Sequence, residues 1–215
     1  MKRARVSRPK LCGYVGKGGL KLEFALRHFG LSVQGLICAD LGCHRGGFTD
    51  CLLQRGASRV HAVDTGYGIL DWKLRSDARV AVHERTNLLY WKSPEPLDLA
   101  VIDAGWTPQR LSIPAALRSL KPGGAILSLV KPQYEVERSE LQRGVLAAER
   151  LAPAMERVRA ALDGVARIAG EVQSPIPGSG GNIEFWLHLL QHEPPRHQGT
   201  KNDGNLEIGK LGNPE

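Results

Sequence analysis

The sequence predicts an α/β protein built on a doubly wound, mostly parallel sheet whose last strand runs antiparallel. Three observations carry that reading. Short apolar runs alternate with helical periods along most of the 215 residues, the order expected of a parallel sheet covered by helices on both faces. The run Leu36-Ile-Cys-Ala-Asp-Leu41 is almost wholly apolar, and such a strand is stable only inside a sheet. The turn after it, Gly42-Cys-His-Arg-Gly46-Gly47, opens a helix and then a second strand ending in Asp64.

The elements follow in order. A first helix spans Gly19 to Phe29, with Leu20, Phe24, Ala25 and Leu26 on its apolar face. The strand–turn–helix unit occupies 36–56, and strands follow at 58–64, 80–86 and 97–104. A helix covers 110–120 and stops at Lys121-Pro-Gly-Gly. Residues 125–130 form a fifth strand, a long helix spans 139–162, and 165–173 form a sixth strand. The loop Ser174-Pro-Ile-Pro-Gly-Ser-Gly-Gly leads to a last strand, Asn182–Leu190. This organisation gives one folded domain at 14–191, a basic arm at 1–13, and a Pro-, Gly- and charge-rich tail at 192–215 that is expected to be disordered.

Charge is localised. Residues 1–21 hold Lys2, Arg3, Arg5, Arg8, Lys10, Lys17 and Lys21 and no acid, which accounts for the whole net charge of +7. Such an arm suits contact with nucleic-acid phosphates, although a solvated tail that aids solubility has the same composition. No apolar run reaches membrane-spanning length, and no apolar stretch follows the basic N-terminus, so a cytoplasmic protein with no membrane partner is expected. Cys12, Cys38, Cys43 and Cys51 form no C-x-x-C pair. They read as reduced thiols, and no metal site is expected.

The glycine turn points to a nucleoside cofactor. Gly42, Gly46 and Gly47 allow a tight turn and close backbone approach, and Asp64 at the next strand tip can hold two ribose hydroxyls. The spacing is G-x-x-x-G-G rather than the G-x-G-x-x-G of a pyrophosphate site, which favours S-adenosylmethionine over a dinucleotide. The turn alone is equally consistent with an α/β protein that binds nothing there. Four charged residues fall at predicted sheet-edge positions. Asp103 ends the fourth strand, and Lys131 ends the fifth and is held extended by Pro132. Glu184 opens the last strand, and Lys21 reaches over from the first helix. Each alone has a structural explanation, but as two acids and two bases they give a neutral cluster of the kind a desolvated site requires.

Several stretches resemble the FtsJ-type RNA 2′-O-methyltransferases, and most closely their hemolysin-A (TlyA) branch. They are Tyr14-Val-Gly-Lys-Gly-Gly-Leu-Lys21, Gly46-Gly-Phe-Thr-Asp50, Ala62-Val-Asp64-Thr-Gly-Tyr-Gly68, Glu84-Arg-Thr-Asn87, Val130-Lys131-Pro-Gln-Tyr134, Pro175-Ile-Pro-Gly178 and Gly181-Asn-Ile-Glu184-Phe. The resemblance implies a Rossmann-like methyltransferase sheet and methyl transfer from S-adenosylmethionine to a ribose 2′-hydroxyl of RNA, with ribosomal RNA or a ribosomal subunit as the expected partner. It places a K-D-K-E catalytic tetrad on Lys21, Asp103, Lys131 and Glu184. It places cofactor motifs on Asp40, Gly42, Gly46, Gly47, Phe48, Asp64 and Asn87, with Asp103 shared between the two sets.

Three departures stand out. The branch's small N-terminal RNA-binding domain is not seen in this sequence. Asp103 is followed by Ala-Gly-Trp106 where Val-Ser-Phe is common, and Cys43-His44-Arg45 replaces smaller residues. Two other readings compete with the enzyme. One is a catalytically silent RNA-binding protein of the same fold, favoured by the altered turn and Trp106. The other is a small-molecule methyltransferase.

Overall fold

A computed structural model of the chain describes residues 13–192. The basic arm up to residue 12 and the tail from residue 193 lie outside the described residues. In chain order the elements are α1 (Lys17–His28), β1 (Ile37–Leu41), α2 (Gly47–Gln54), β2 (Arg59–Val63), α3 (Trp72–Arg75), β3 (Val80–His83), β4 (Leu97–Ile102), α4 (Gln109–Leu117), β5 (Leu120–Val130), β6 (Leu141–Gln142), β7 (Val145–Leu146), α5 (Ala148–Leu162), β8 (Ala166–Gln173) and β9 (Phe185–Gln191). Seven strands make one sheet in the order β3-β2-β1-β4-β5-β9-β8. The first five in that order are mutually parallel, and β9 is antiparallel to both neighbours.

The apolar strands sort their side chains onto two faces. Cys38, Val60, Leu99 and Leu127 pack beneath α1, α2 and α3. Ala39, Leu41, Ile102 and Ile126 pack beneath α4 and α5. Central strands are buried on both faces, whereas β8 at the edge alternates buried or half-buried residues with exposed ones. No helix of the described residues is long and apolar enough to cross a membrane.

Three boundaries differ from the sequence reading. The helix expected at 139–162 begins only at Ala148. The stretch before it contains the β6–β7 hairpin, whose turn residues Arg143 (φ 52°) and Gly144 (φ 82°) are both left-handed. Two successive left-handed residues match the twist of a tight hairpin and stop a right-handed helix. β5 begins at Leu120, ahead of Pro122-Gly-Gly, because an irregularity in its pairing with β4 absorbs those residues. β9 begins at Phe185, so Glu184 lies just before the strand rather than inside it.

The register positions the site. Leu41 pairs with Ile102, so Gly42 and Asp103 leave adjacent strands side by side. Val130 pairs with Phe185 in the antiparallel β5–β9 ladder, which brings Lys131 and Glu184 to the same edge.

Candidate active site

The carboxyl ends of β1, β2, β4 and β5 meet the start of β9 at one edge of the sheet, where an open α/β sheet binds its ligands. At the centre is Gly42 (φ 94°), where a Cβ would lie 2.6 Å from the Asp103 carbonyl oxygen. Any side chain there would drive the tips of β1 and β4 apart. Past Gly42 the chain turns through His44, which is itself left-handed. The His44 N–H donates to Asp64 Oδ2 at 2.8 Å, and the Gly66 N–H donates to Asp64 Oδ1 at 2.7 Å. The Asp64 carboxylate therefore ties the β1 turn to the tip of β2 and keeps acceptor capacity on both oxygens.

Two hollows adjoin at this turn. The larger, of about 460 Å³, is lined by Asp64, Thr86, Asn87, Leu88, Asp103 and Lys131 among others. The smaller is lined by Lys17, Gly18, Asp40, Arg45, Gly47 and Phe48 among others. Gly42, His44 and Asp103 border both. Asn87 Oδ1 accepts from the Leu89 N–H at 2.9 Å, which holds the segment beyond β3 in place.

Asp40 is fully buried in β1. Its Oδ2 accepts from the Thr49 N–H (2.8 Å) and hydroxyl (2.7 Å), whereas Oδ1 has no hydrogen-bond partner. Burial pushes this carboxyl up to about 7, and the neighbouring Asp103 and Asp64 push the same way while the Thr49 bonds oppose. A buried carboxylate oxygen without a partner, on a residue that lines a hollow, suits a cationic donor.

The glycines divide their work. At Gly46 (φ 92°) a Cβ would meet Leu74 Cδ1 at 2.2 Å, and at Gly47 one would meet the Gly19 nitrogen at 3.0 Å. Both let α2 pack against other parts of the chain. Gly47 also borders the smaller hollow, and Gly46 borders neither. Phe48 is buried, and its ring packs on Trp186 at 5.4 Å.

The four charged residues form two ion pairs. Lys131 Nζ lies 2.5 Å from Asp103 Oδ1, as a charge contact rather than an aligned hydrogen bond, at the border of the larger hollow. Lys21 Nζ donates to Glu184 Oε2 at 2.5 Å, and this buried pair borders neither hollow. Burial is the main cause that raises the Glu184 carboxyl above its ordinary range. Lys21 opposes it most strongly, and Asp103 and Lys131 also act on it. The two pairs therefore share one local field.

Beside Lys131 stands an aromatic shelf. Trp106 is left-handed (φ 61°) and 79% exposed, and its ring lies 4.6 Å from that of Tyr134. The Tyr134 ring centroid is 5.9 Å from Lys131 Nζ. Sequence reasoning missed Lys17, Arg45, Thr86, Leu88 and Ser179 as lining residues. Lys17, Thr86 and Leu88 had a signal, since they lie in or beside the stretches Tyr14–Lys21 and Glu84–Asn87. Ser179 had none beyond its place in a glycine-rich loop. Among the described residues, Cys38, Cys43 and Cys51 are buried free thiols, and burial is the main cause that raises each of them.

Comparison with known proteins places this geometry. The FtsJ-like methyltransferase family matches residues 14–190. The YqxC protein of Bacillus subtilis is 43% identical over 184 residues, which span 82% of this chain and 65% of that protein. The 16S/23S rRNA (cytidine-2′-O)-methyltransferase TlyA of Mycobacterium tuberculosis is 39% identical over 188 residues, 82% of this chain and 68% of that protein. The chain thus spans about two thirds of the length of these relatives. A solved protein of Streptococcus thermophilus that carries the name hemolysin superposes with a TM-score of 0.82 at 40% identity, over 87% of this chain and 70% of that one.

Proposed function

The chain belongs to the FtsJ-like methyltransferase family, whose methyl donor is S-adenosylmethionine, and from that premise we propose that it methylates a ribose 2′-hydroxyl of ribosomal RNA. The observation that carries the reading is the Lys131–Asp103 pair at the point where the two hollows meet. The name of the TlyA relative supports the class of substrate, and a ribosomal substrate implies work in the cytoplasm.

The residues fit the donor. Asp64 and Asn87 border the larger hollow and suit its nucleoside end, with Asp64 accepting from ribose hydroxyls. The unpartnered Oδ1 of Asp40 suits the ammonium of its amino-acid end. Gly42, Gly47 and Phe48 shape the smaller hollow, and Gly46 sets the start of α2. When bound, S-adenosylmethionine supplies a methyl group activated on a positively charged sulfur.

The protein's task is then alignment and care of one proton. Lys131 offers three donors and no acceptor, so it holds the ribose hydroxyl by its oxygen and steers a lone pair toward the methyl. Asp103 fixes the lysine, and as the hydroxyl oxygen takes the methyl its proton passes to the Asp103 carboxylate and on to water. Lys21 and Glu184 sit behind this pair as a neutral buried couple that fixes its field. Trp106 and Tyr134 present an exposed aromatic face for the base of the target nucleotide. The test is incubation of the full chain with methyl-labelled S-adenosylmethionine and unmodified ribosomal RNA. Label is expected on ribose oxygens after nuclease digestion. Cofactor binding without label transfer would favour a silent RNA-binding protein instead.

A further inference from the structure

The 174–182 loop and the β6–β7 hairpin are far apart in sequence but are joined through one side chain. Asn182 is buried. Its Oδ1 accepts from the Leu146 N–H at 3.0 Å, and its Nδ2 donates to the carbonyl oxygens of Gly144 (3.0 Å) and Ser179 (3.1 Å). Both amide protons and the amide oxygen are thus in use, which is what a buried amide needs in order not to cost stability. Leu146 and Gly144 belong to the hairpin and its turn, and Ser179 belongs to the loop.

This clamp bears on both ion pairs. Within the loop, the Gly178 N–H donates to the Asn182 carbonyl at 2.9 Å. A Cβ on Gly178 would lie 2.1 Å from Glu184 Oε1, although the residue's φ of −77° suits any amino acid. Gly178 is therefore glycine for reasons of space, and its backbone rests directly against the carboxylate that holds Lys21. The Ser174 N–H donates to the Glu184 carbonyl at 2.8 Å, which closes the loop on the other side. On the hairpin side, β7 packs against the 132–134 turn that follows Lys131 and carries Tyr134. Ser179 itself borders the larger hollow together with Lys131.

We propose that Asn182 is a positioning residue: it clamps the 174–182 loop to the hairpin, and through Gly178 it holds Glu184 on Lys21 and keeps the wall beside Lys131 in register. The inference rests on the reading of this edge as a methyl-transfer site. The clamp itself has a readout that does not depend on activity. Lys21 is only 9% exposed while Glu184 holds it, so its reactivity toward an amine-acetylating reagent reports whether the loop stays seated.

The test uses the full chain with Asn182→Ala, the isosteric Asn182→Asp, and Gly178→Ala, which leaves the clamp intact but pushes on Glu184. Acetylation of Lys21, followed by mass spectrometry, is expected to quicken several-fold in all three. Methyl transfer to ribosomal RNA is expected to fall in kcat by about ten- to a hundredfold, the scale of small misplacements at a reacting centre. The KM for S-adenosylmethionine should stay unchanged. Asn182→Asp keeps the acceptor for Leu146 but offers oxygen to two carbonyls. Its rate relative to wild type is therefore expected to rise as the pH falls and a protonated carboxyl regains one donor. A purely structural role would lower thermal stability without that pH signature or the kcat loss. Unchanged Lys21 labelling in the folded Asn182→Asp protein overturns the clamp. Faster labelling with wild-type kcat overturns the positioning role. If the wild-type chain transfers no methyl to RNA, the functional reading fails, while the labelling still decides the clamp.

Discussion

Lys21 donates to Glu184 at 2.5 Å across 163 residues of sequence, and the pair is buried behind the hollows that Asp103 and Lys131 border. Removing one member of a buried pair leaves an uncompensated charge and typically costs about 3–5 kcal/mol. In Lys21→Met the remaining acid is Glu184, which burial already raises above the ordinary 4.5 and which Lys21 now opposes. Without Lys21 it rises further. The folded variant then holds a proton that the unfolded chain has released. That contribution is fully present below about 4.5 and lost as the pH rises through the folded value. Urea unfolding should show a small stability deficit for Lys21→Met near about pH 5 and a larger one near about pH 8. A deficit that does not change with pH contradicts the pairing.

Asp64→Ala is expected to weaken S-adenosylmethionine binding at least about tenfold, since hydrogen bonds to a charged group are worth roughly 1.5–3 kcal/mol. The variant also frees the His44 and Gly66 N–H groups that Asp64 now holds. Asp64→Asn, which keeps the shape and one oxygen acceptor, should lose less. Calorimetry on the three proteins gives the order, and equal affinities would remove Asp64 from the cofactor site.

Asp40 should make cofactor binding depend on pH near neutrality. Its carboxyl is pushed up to about 7, first by burial. A cationic amino group favours the ionised form, so affinity should strengthen as the pH rises from about 6 to about 7.5, with a proton released on binding. Without ligand the sign is reversed. A raised folded value means that stability is lost as the pH climbs through about 7. Asp40→Asn should flatten the binding curve and gain stability relative to wild type at alkaline pH. Calorimetry in two buffers of different ionisation enthalpy reads the proton directly. A pH-independent wild-type affinity with no proton release would count against this placement.

Trp106→Ala should weaken RNA binding and leave cofactor affinity alone. The ring is 79% exposed, packs at a tilt against Tyr134, and borders neither hollow. Stacking of one base on an aromatic side chain is worth about 1–3 kcal/mol. The expected loss is therefore roughly five- to 150-fold in RNA affinity. Trp106→Phe should retain most of it. Fluorescence anisotropy with a labelled ribosomal RNA fragment separates the two variants.

The sheet and the four charged residues were legible because strands buried on both faces have few alternatives, and because a charge at a strand tip stands out against an apolar run. Residues 139–147 were not. Leu141 and Val145 sit at the i, i+4 spacing of a helix, and only the left-handed pair Arg143–Gly144 breaks the helix. The glycines were legible as a tight turn but not in their individual roles. Sequence does not separate a glycine kept empty for a ligand from one kept empty for a neighbouring helix, and Gly46 is of the second kind. Arg45 and Ser179 carry no pattern, since exposed charged and small residues occur everywhere on a surface.

Lys131 should be needed for transfer and dispensable for cofactor binding. Its ammonium is held 2.5 Å from Asp103 at the border of the larger hollow, and Pro132 follows it at the end of β5. An interaction with the reacting hydroxyl matters only as the proton becomes acidic, so its loss belongs in kcat rather than in donor affinity. Groups that handle a proton in this way typically contribute about 10²–10⁴-fold. Lys131→Ala should lose about that much in single-turnover methyl transfer while binding S-adenosylmethionine nearly as well as wild type. Lys131→Arg should not restore it. A planar guanidinium does not reproduce a compact ammonium at so short a contact with Asp103. Activity in the arginine variant would show that any cation there holds the hydroxyl and that the shape of the ammonium does not matter. Wild-type turnover in the alanine variant would remove Lys131 from the mechanism and leave Asp103 without its partner's role.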